Sequence, residues 1–90
     1  MRQFKKSKNL DKILRKLMKK DNKLYNNLLS KIEEILTIND VEHYKNLRHD
    51  LKEFKRVHIG SFVLIFKYDK DKDLVYLTNF DHHDNIYKSK

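Results

Sequence analysis

The chain has 90 residues, 21 Lys and Arg against 13 Asp and Glu, a net charge of +8 and no cysteine. That is one small domain, residues 1–90, without disulfides, thiolate metal sites, iron–sulfur clusters or cysteine nucleophiles. One Gly and no Pro leave no glycine-rich phosphate loop. The longest apolar run, Phe62–Phe66, is far short of the ~20 residues a bilayer span needs, and no apolar segment behind the first residues suggests a signal peptide.

In chain order, Met1–Lys6 reads as a short edge strand anchored by Phe4. Leu10, Ile13, Leu14, Leu17 and Met18 then follow the spacing of one helical stripe, with Ser7 or Asn9 as the cap. Asp21-Asn22 interrupts the stripe and caps a second helix with Leu24, Leu28, Ile32, Ile35 and Leu36 on one side and Tyr25 and Leu29 flanking. Two amphipathic helices with so short a connection predict a helix hairpin. After Thr37–Asp40 the period changes. Glu53–Ile59 alternates, with Phe54, Arg56 and His58 on one side and Lys55, Val57 and Ile59 on the other. Gly60-Ser61 is a tight connection, Phe62–Tyr68 a central strand apolar on both faces, Asp69–Asp73 a polar turn, and Leu74–Phe80 a third strand. Asp81–Lys90 reads as a polar tail apart from Ile86 and Tyr87. The architecture is α+β, an N-terminal helix hairpin packed on one face of a small antiparallel sheet.

Charge is uneven along the chain. Residues 1–36 hold 11 Lys/Arg against 4 Asp/Glu, and residues 37–90 hold 10 against 9. The outer face of the first helix carries Lys8, Lys12, Arg15, Lys16, Lys19 and Lys20, many of them three or four apart. Each such like-charge pair costs roughly 0.2–0.5 kcal/mol. A polyanion partner would offset that repulsion; a plain solvated face is the other reading, and composition does not choose between them.

All five histidines (His43, His49, His58, His82, His83) lie in the second part. A metal site is disfavoured: His82 and His83 are adjacent and point to opposite sides of an extended chain, and Asp69-x-Asp71-x-Asp73 has Leu74 where a calcium loop needs Gly and Phe80 where it needs Glu. What survives is acid–base chemistry without a cofactor. RNA carries its own nucleophile, the 2′-hydroxyl; cutting it takes a base, an acid for the leaving 5′-oxygen and a cation for the phosphorane. Histidine suits the first two tasks and Lys or Arg the third. His58 also reads as a strand histidine held by a structural hydrogen bond, and spacing alone leaves both readings open.

The stretch from Leu47 through Leu51, Phe54-Lys55-Arg56-Val57-His58-Ile59-Gly60-Ser61 and on to Phe62–Phe66 resembles the central block of the RelE/ParE toxin superfamily. His82-His83 followed by Tyr87 is similar to that superfamily's closing motif, a basic residue with an aromatic four later. The resemblance implies a RelE-like fold and the toxin of a type II toxin–antitoxin pair. In the RelE-like, YafQ-like branch this means a cytoplasmic, ribosome-dependent, metal-independent mRNA endonuclease. Its partners would be ribosome, mRNA and a cognate acidic, RelB-like antitoxin, with no membrane. Carried over by position, His83 is the general acid or base, His58 assists it, and Tyr87 orients or stacks on a base. Arg48, Lys52 and Arg56 contact phosphate, and Phe62 matches the aromatic after the turn. Val63, Asn79 and Ser61 depart from the pattern, standing where Arg, Arg and Asp are usual. The alternative is a non-catalytic module, a ParE-like gyrase inhibitor or a basic RNA-binding protein.

Overall fold

The computed structural model describes residues 1–47 and 53–87. Strand β1 (Gln3–Lys6) leads into helices α1 (Lys8–Lys20) and α2 (Asn22–Thr37). A single 3-10 turn (Val41–His43) follows, and then β2 (Phe54–Ile59), β3 (Phe62–Asp69), β4 (Leu74–His82) and a short helix α3 (His83–Tyr87). The sheet order is β1-β4-β3-β2.

The helix starts follow capping chemistry. Ser7 Oγ accepts the amide of Leu10 at 3.0 Å and donates to the Thr78 carbonyl at 2.7 Å, so one hydroxyl both caps α1 and fastens it to β4. Asp21 is the only residue between the helices, and its carboxylate accepts the amide of Leu24 at 3.1 Å. On α1, Leu10 is fully buried and Ile13, Leu14 and Leu17 pack against the core, while Met18, expected on the stripe, is 49% exposed. On α2, Leu28, Ile32, Ile35 and Leu36 are buried.

Strands β2, β3 and β4 form the expected antiparallel meander. The sheet as a whole is mixed, because β1 pairs in parallel with β4. Both helices and strands β2 and β3 intervene, and a connection of that length permits parallel pairing. Phe4 does not anchor β1, since it is 45% exposed. The N-terminus is held instead by polar bonds from Arg2. Its guanidinium donates to Asp73 at 2.9 Å, to the Ile35 carbonyl at 3.2 Å and to the Asn39 carbonyl at 3.0 Å. Its own amide reaches the Leu36 carbonyl at 2.9 Å. One side chain thus ties the exit of α2 to the β3–β4 turn, where Tyr68 also donates to Asp73 at 2.6 Å.

The core lies between the helix pair and one face of the sheet. Val57 and Ile59 of β2, Leu64 and Phe66 of β3, and Val75, Leu77 and Phe80 of β4 face the helices. By alternation, Phe54, Arg56 and His58 face the other way. The register sets Val63 beside His58, Ile65 beside Arg56 and Lys67 beside Phe54 on that second face.

Buried Lys55 stays on the core side by reaching out of it. Its ammonium meets the Tyr44 carbonyl at 3.1 Å and Glu42 at 3.2 Å. Tyr44 packs edge-on to Phe66 and donates to Glu34 at 2.5 Å. Burial and that bond push the phenol's pKa well above its usual range.

Two predictions follow from these anchors. Arg2→Met should lower stability by roughly 1–3 kcal/mol, because the Ile35 and Asn39 carbonyls and the Asp73 carboxylate lose a donor; the urea midpoint reads it, and an unchanged midpoint contradicts it. Gly60 opens the β2–β3 hairpin at φ 61°. An added Cβ meets nothing within 4 Å, so Gly60→Ala should cost only the conformational penalty, about 1–2 kcal/mol in the same measurement.

Candidate active site

The second face of the sheet carries a cluster built from three elements. His58 projects from β2 by strand alternation. α3 begins directly at the end of β4, and its first backbone amide, that of His83, donates to the Ser61 carbonyl in the β2–β3 turn at 2.8 Å. That bond brings α3 against the hairpin end. His83 and Tyr87 are four residues apart on a helix and so share a side. The His58 and His83 rings lie 5.7 Å apart between centroids, His83 and Tyr87 4.6 Å, and His58 and Tyr87 6.4 Å at an interplanar angle of 23°. Arg56, two residues before His58 on the same face, sets Nη1 3.4 Å from His58 Nε2.

The electrostatics separate the groups. Burial first, then the positive charge of Arg56, then His83, hold the His58 pKa below its ordinary value of about 6.5. At neutral pH His58 is therefore an uncharged imidazole, able to accept a proton. Among the described residues no carboxylate pairs with Arg56, and its Nε is buried without a hydrogen-bond partner. The cluster thus offers a cation, two imidazoles and a phenol on a surface that His58 and His83 reach with exposed rings. An anionic group fits that charge, and proton transfer fits the imidazoles.

The remaining candidates are placed as follows. Phe62 lies on the opposite, core-side face, stacked on Phe80 at 5.2 Å with His82 edge-on at 5.4 Å; it is not brought to the cluster. His82 and His83 diverge, one ending β4 and the other starting α3. Arg48 and Lys52 lie outside the described residues. Val63 is fully buried. Asn79 accepts from Asn9 at 2.9 Å and from the Phe80 amide at 2.9 Å, so neither of these two positions supplies a cation.

Among the described residues, no three His, Asp or Glu side chains converge to hold a metal. Asp69 accepts the amides of Asp71 and Lys72 within its own turn. The Ser61 carbonyl and the α3 start are the parts of the site that sequence reasoning missed. A strand ending in a His-His-Asp step is the only signal for them.

No family model matches the chain. Over 82 residues it is 56% identical to a protein of Methanocaldococcus jannaschii named "Putative toxin RelE4", covering 90% of this chain and 85% of that one. It is 43% identical over 79 residues to an uncharacterized protein of Methanosarcina mazei, covering 87% and 90%. Two solved structures share the fold. The isolated Escherichia coli RelE toxin superposes with a TM-score of 0.66 at 13% identity, over 91% of this chain and 84% of that one. The RelBE2 toxin–antitoxin complex of Mycobacterium tuberculosis matches with a TM-score of 0.64 at 18% identity, over 90% and 96%. Among the described residues no helix is long and apolar enough to cross a membrane.

The state of His58 gives a direct test. Its ring signals in an NMR titration should move with a midpoint below 6.5, and Arg56→Gln should raise that midpoint by removing the cation. Stability carries the same sign: as pH falls through about 6.5 the unfolded chain takes up the proton first, so stability is lost toward acid. A midpoint above 6.5, or one indifferent to Arg56→Gln, contradicts the assignment.

Proposed function

The chain belongs to the RelE-like family of toxins, and from that premise we propose that it is the toxin of a toxin–antitoxin pair that cleaves mRNA on the ribosome through the cluster of His58, His83, Tyr87 and Arg56. The observation that carries the reading is the convergence of two imidazoles, a phenol and a guanidinium with no ion-pair partner among the described residues on the sheet face the helix hairpin leaves open.

The chemistry follows from the groups. Uncharged His58 takes the proton of the RNA 2′-hydroxyl as that oxygen attacks the adjacent phosphorus. Arg56 stabilises the charge that builds on the phosphorane oxygens. His83 gives a proton to the departing 5′-oxygen, leaving a 2′,3′-cyclic phosphate and a 5′-hydroxyl. Tyr87, 4.6 Å from His83 between centroids, orients that ring and stacks on a base. No step calls for a metal, because the nucleophile belongs to the substrate. Arg48 and Lys52 are proposed as further phosphate contacts on the strength of the family pattern.

The antitoxin is proposed to be an acidic, RelB-like chain. A net charge of +8 favours a partner of opposite sign, and the fold is shared with the toxin of a toxin–antitoxin complex. A second reading, non-catalytic inhibition of the ParE kind or simple RNA binding, draws on Val63 and Asn79, which stand where arginines would steady the phosphate.

Cleavage of ribosome-bound mRNA decides between them. Wild type should cut, and His83→Ala should cut about 10²–10⁴-fold more slowly. Growth arrest without cleavage, or full toxicity in His83→Ala, overturns the nuclease reading.

A further inference from the structure

Two pleats from the histidine cluster, the same sheet face carries a second feature. The register aligns Phe54 with Lys67, Lys67 with Tyr76, and Tyr76 with Lys5. One residue from each of the four strands therefore forms a row across the sheet, alternating aromatic and cation. The Lys67 ammonium sits over the Phe54 ring, 5.2 Å from its centroid. Lys5 is exposed, and Phe54, Lys67 and Tyr76 are each partly exposed. Among the described residues neither Lys5 nor Lys67 is in an ion pair. Lys67 and Tyr76 also line a groove of about 760 Å³, whose lining adds Lys45, Lys55 and Lys70 and also the acidic Glu42, Glu53 and Asp69.

Beyond the contact of Lys67 with Phe54, no ion pair among the described residues explains the row's composition. Val63 and Ile65, the other inner positions of β3 on this face, are buried and aliphatic. Alternating cations and ring faces on an open sheet match a single nucleic-acid strand, with the ammonium groups meeting phosphates and the rings meeting unpaired bases. A duplex hides its base faces and offers only the phosphates.

The row stands four residues along β2 from His58, about 13 Å at the rise of a strand. A strand seated on it reaches the histidines within a few nucleotides.

We propose that Phe54, Lys67, Tyr76 and Lys5 form a stacking platform for single-stranded RNA that holds the message a few nucleotides from the point of cleavage. The proposal rests on the nuclease reading for its purpose, yet it concerns binding, so the two fail separately.

The test is fluorescence anisotropy with the full chain and a labelled eight-nucleotide single-stranded oligouridine, beside an RNA duplex of the same length. Tyr76→Ala should weaken single-strand binding about tenfold or more and leave duplex binding within twofold, while Tyr76→Phe restores the single-strand affinity. Lys67→Gln should reduce the salt dependence by about one phosphate contact. Should Tyr76→Ala misfold, as its melting curve would reveal, Tyr76→Leu keeps an apolar cover without a flat ring and carries the same expectation. The platform is overturned if wild type binds no single-stranded RNA, if the ring-less variants bind it as tightly as wild type, or if they lose duplex and single strand alike. Cleavage on ribosomes with no effect of Tyr76→Ala on binding sinks the platform alone. Tyr76-dependent binding without cleavage sinks the nuclease reading and leaves the platform standing.

Discussion

The hydrogen bond from the His83 amide to the Ser61 carbonyl, 2.8 Å long, is the contact on which the candidate site depends. It joins the end of β4 to the turn between β2 and β3, and so fixes where the chain leaves the sheet. A helix of five residues has little stability of its own; here it starts from a pinned amide and lies against a hairpin end. His83 and Tyr87 are then carried to the ring of His58 by helix geometry alone. Without that bond the imidazoles would belong to a strand and to an unattached tail.

Below it, the rest of the fold acts as a rigid frame. β3 is buried on both faces along Val63–Phe66, which makes it the centre on which the neighbouring strands keep their register. The helix hairpin covers one face and leaves the other to the histidine cluster and its neighbours. Arg2 and Ser7 secure the two ends of the N-terminal segment, one at the β3–β4 turn and one on β4. Side-chain geometry built on strands supported this way is held more closely than geometry on loops.

Much of this was legible in the residues. Alternation across Glu53–Ile59 placed Arg56 and His58 on one face, and the β-rich run after Gly60 marked the central strand. The helix stripes announced the hairpin, and Ser7 and Asp21 announced its caps. What was not legible is non-local. Nothing in Gln3–Lys6 says that it will pair in parallel with a strand some seventy residues later, since that pairing depends on where the hairpin returns the chain. The tail read as polar because five residues are too few to display a helical period, and because the donor that starts α3 is a backbone group with no side-chain signature. Phe62 shows the converse limit. Its motif position matched, but the two-residue turn pairs it with core-side Ile59 and so sets its ring on the core side, against Phe80.

The central claim is chemical: the open-face cluster cuts RNA with the substrate's own 2′-oxygen. Mass spectrometry of the ends left on a ribosome-bound message addresses it most directly, especially when the nucleotide at the cut is replaced by its 2′-deoxy form. The account predicts a 2′,3′-cyclic or 3′-phosphate on one fragment, a 5′-hydroxyl on the other, and no cutting of the deoxy message. Ends bearing a 5′-phosphate, or continued cutting without the 2′-hydroxyl, would contradict it.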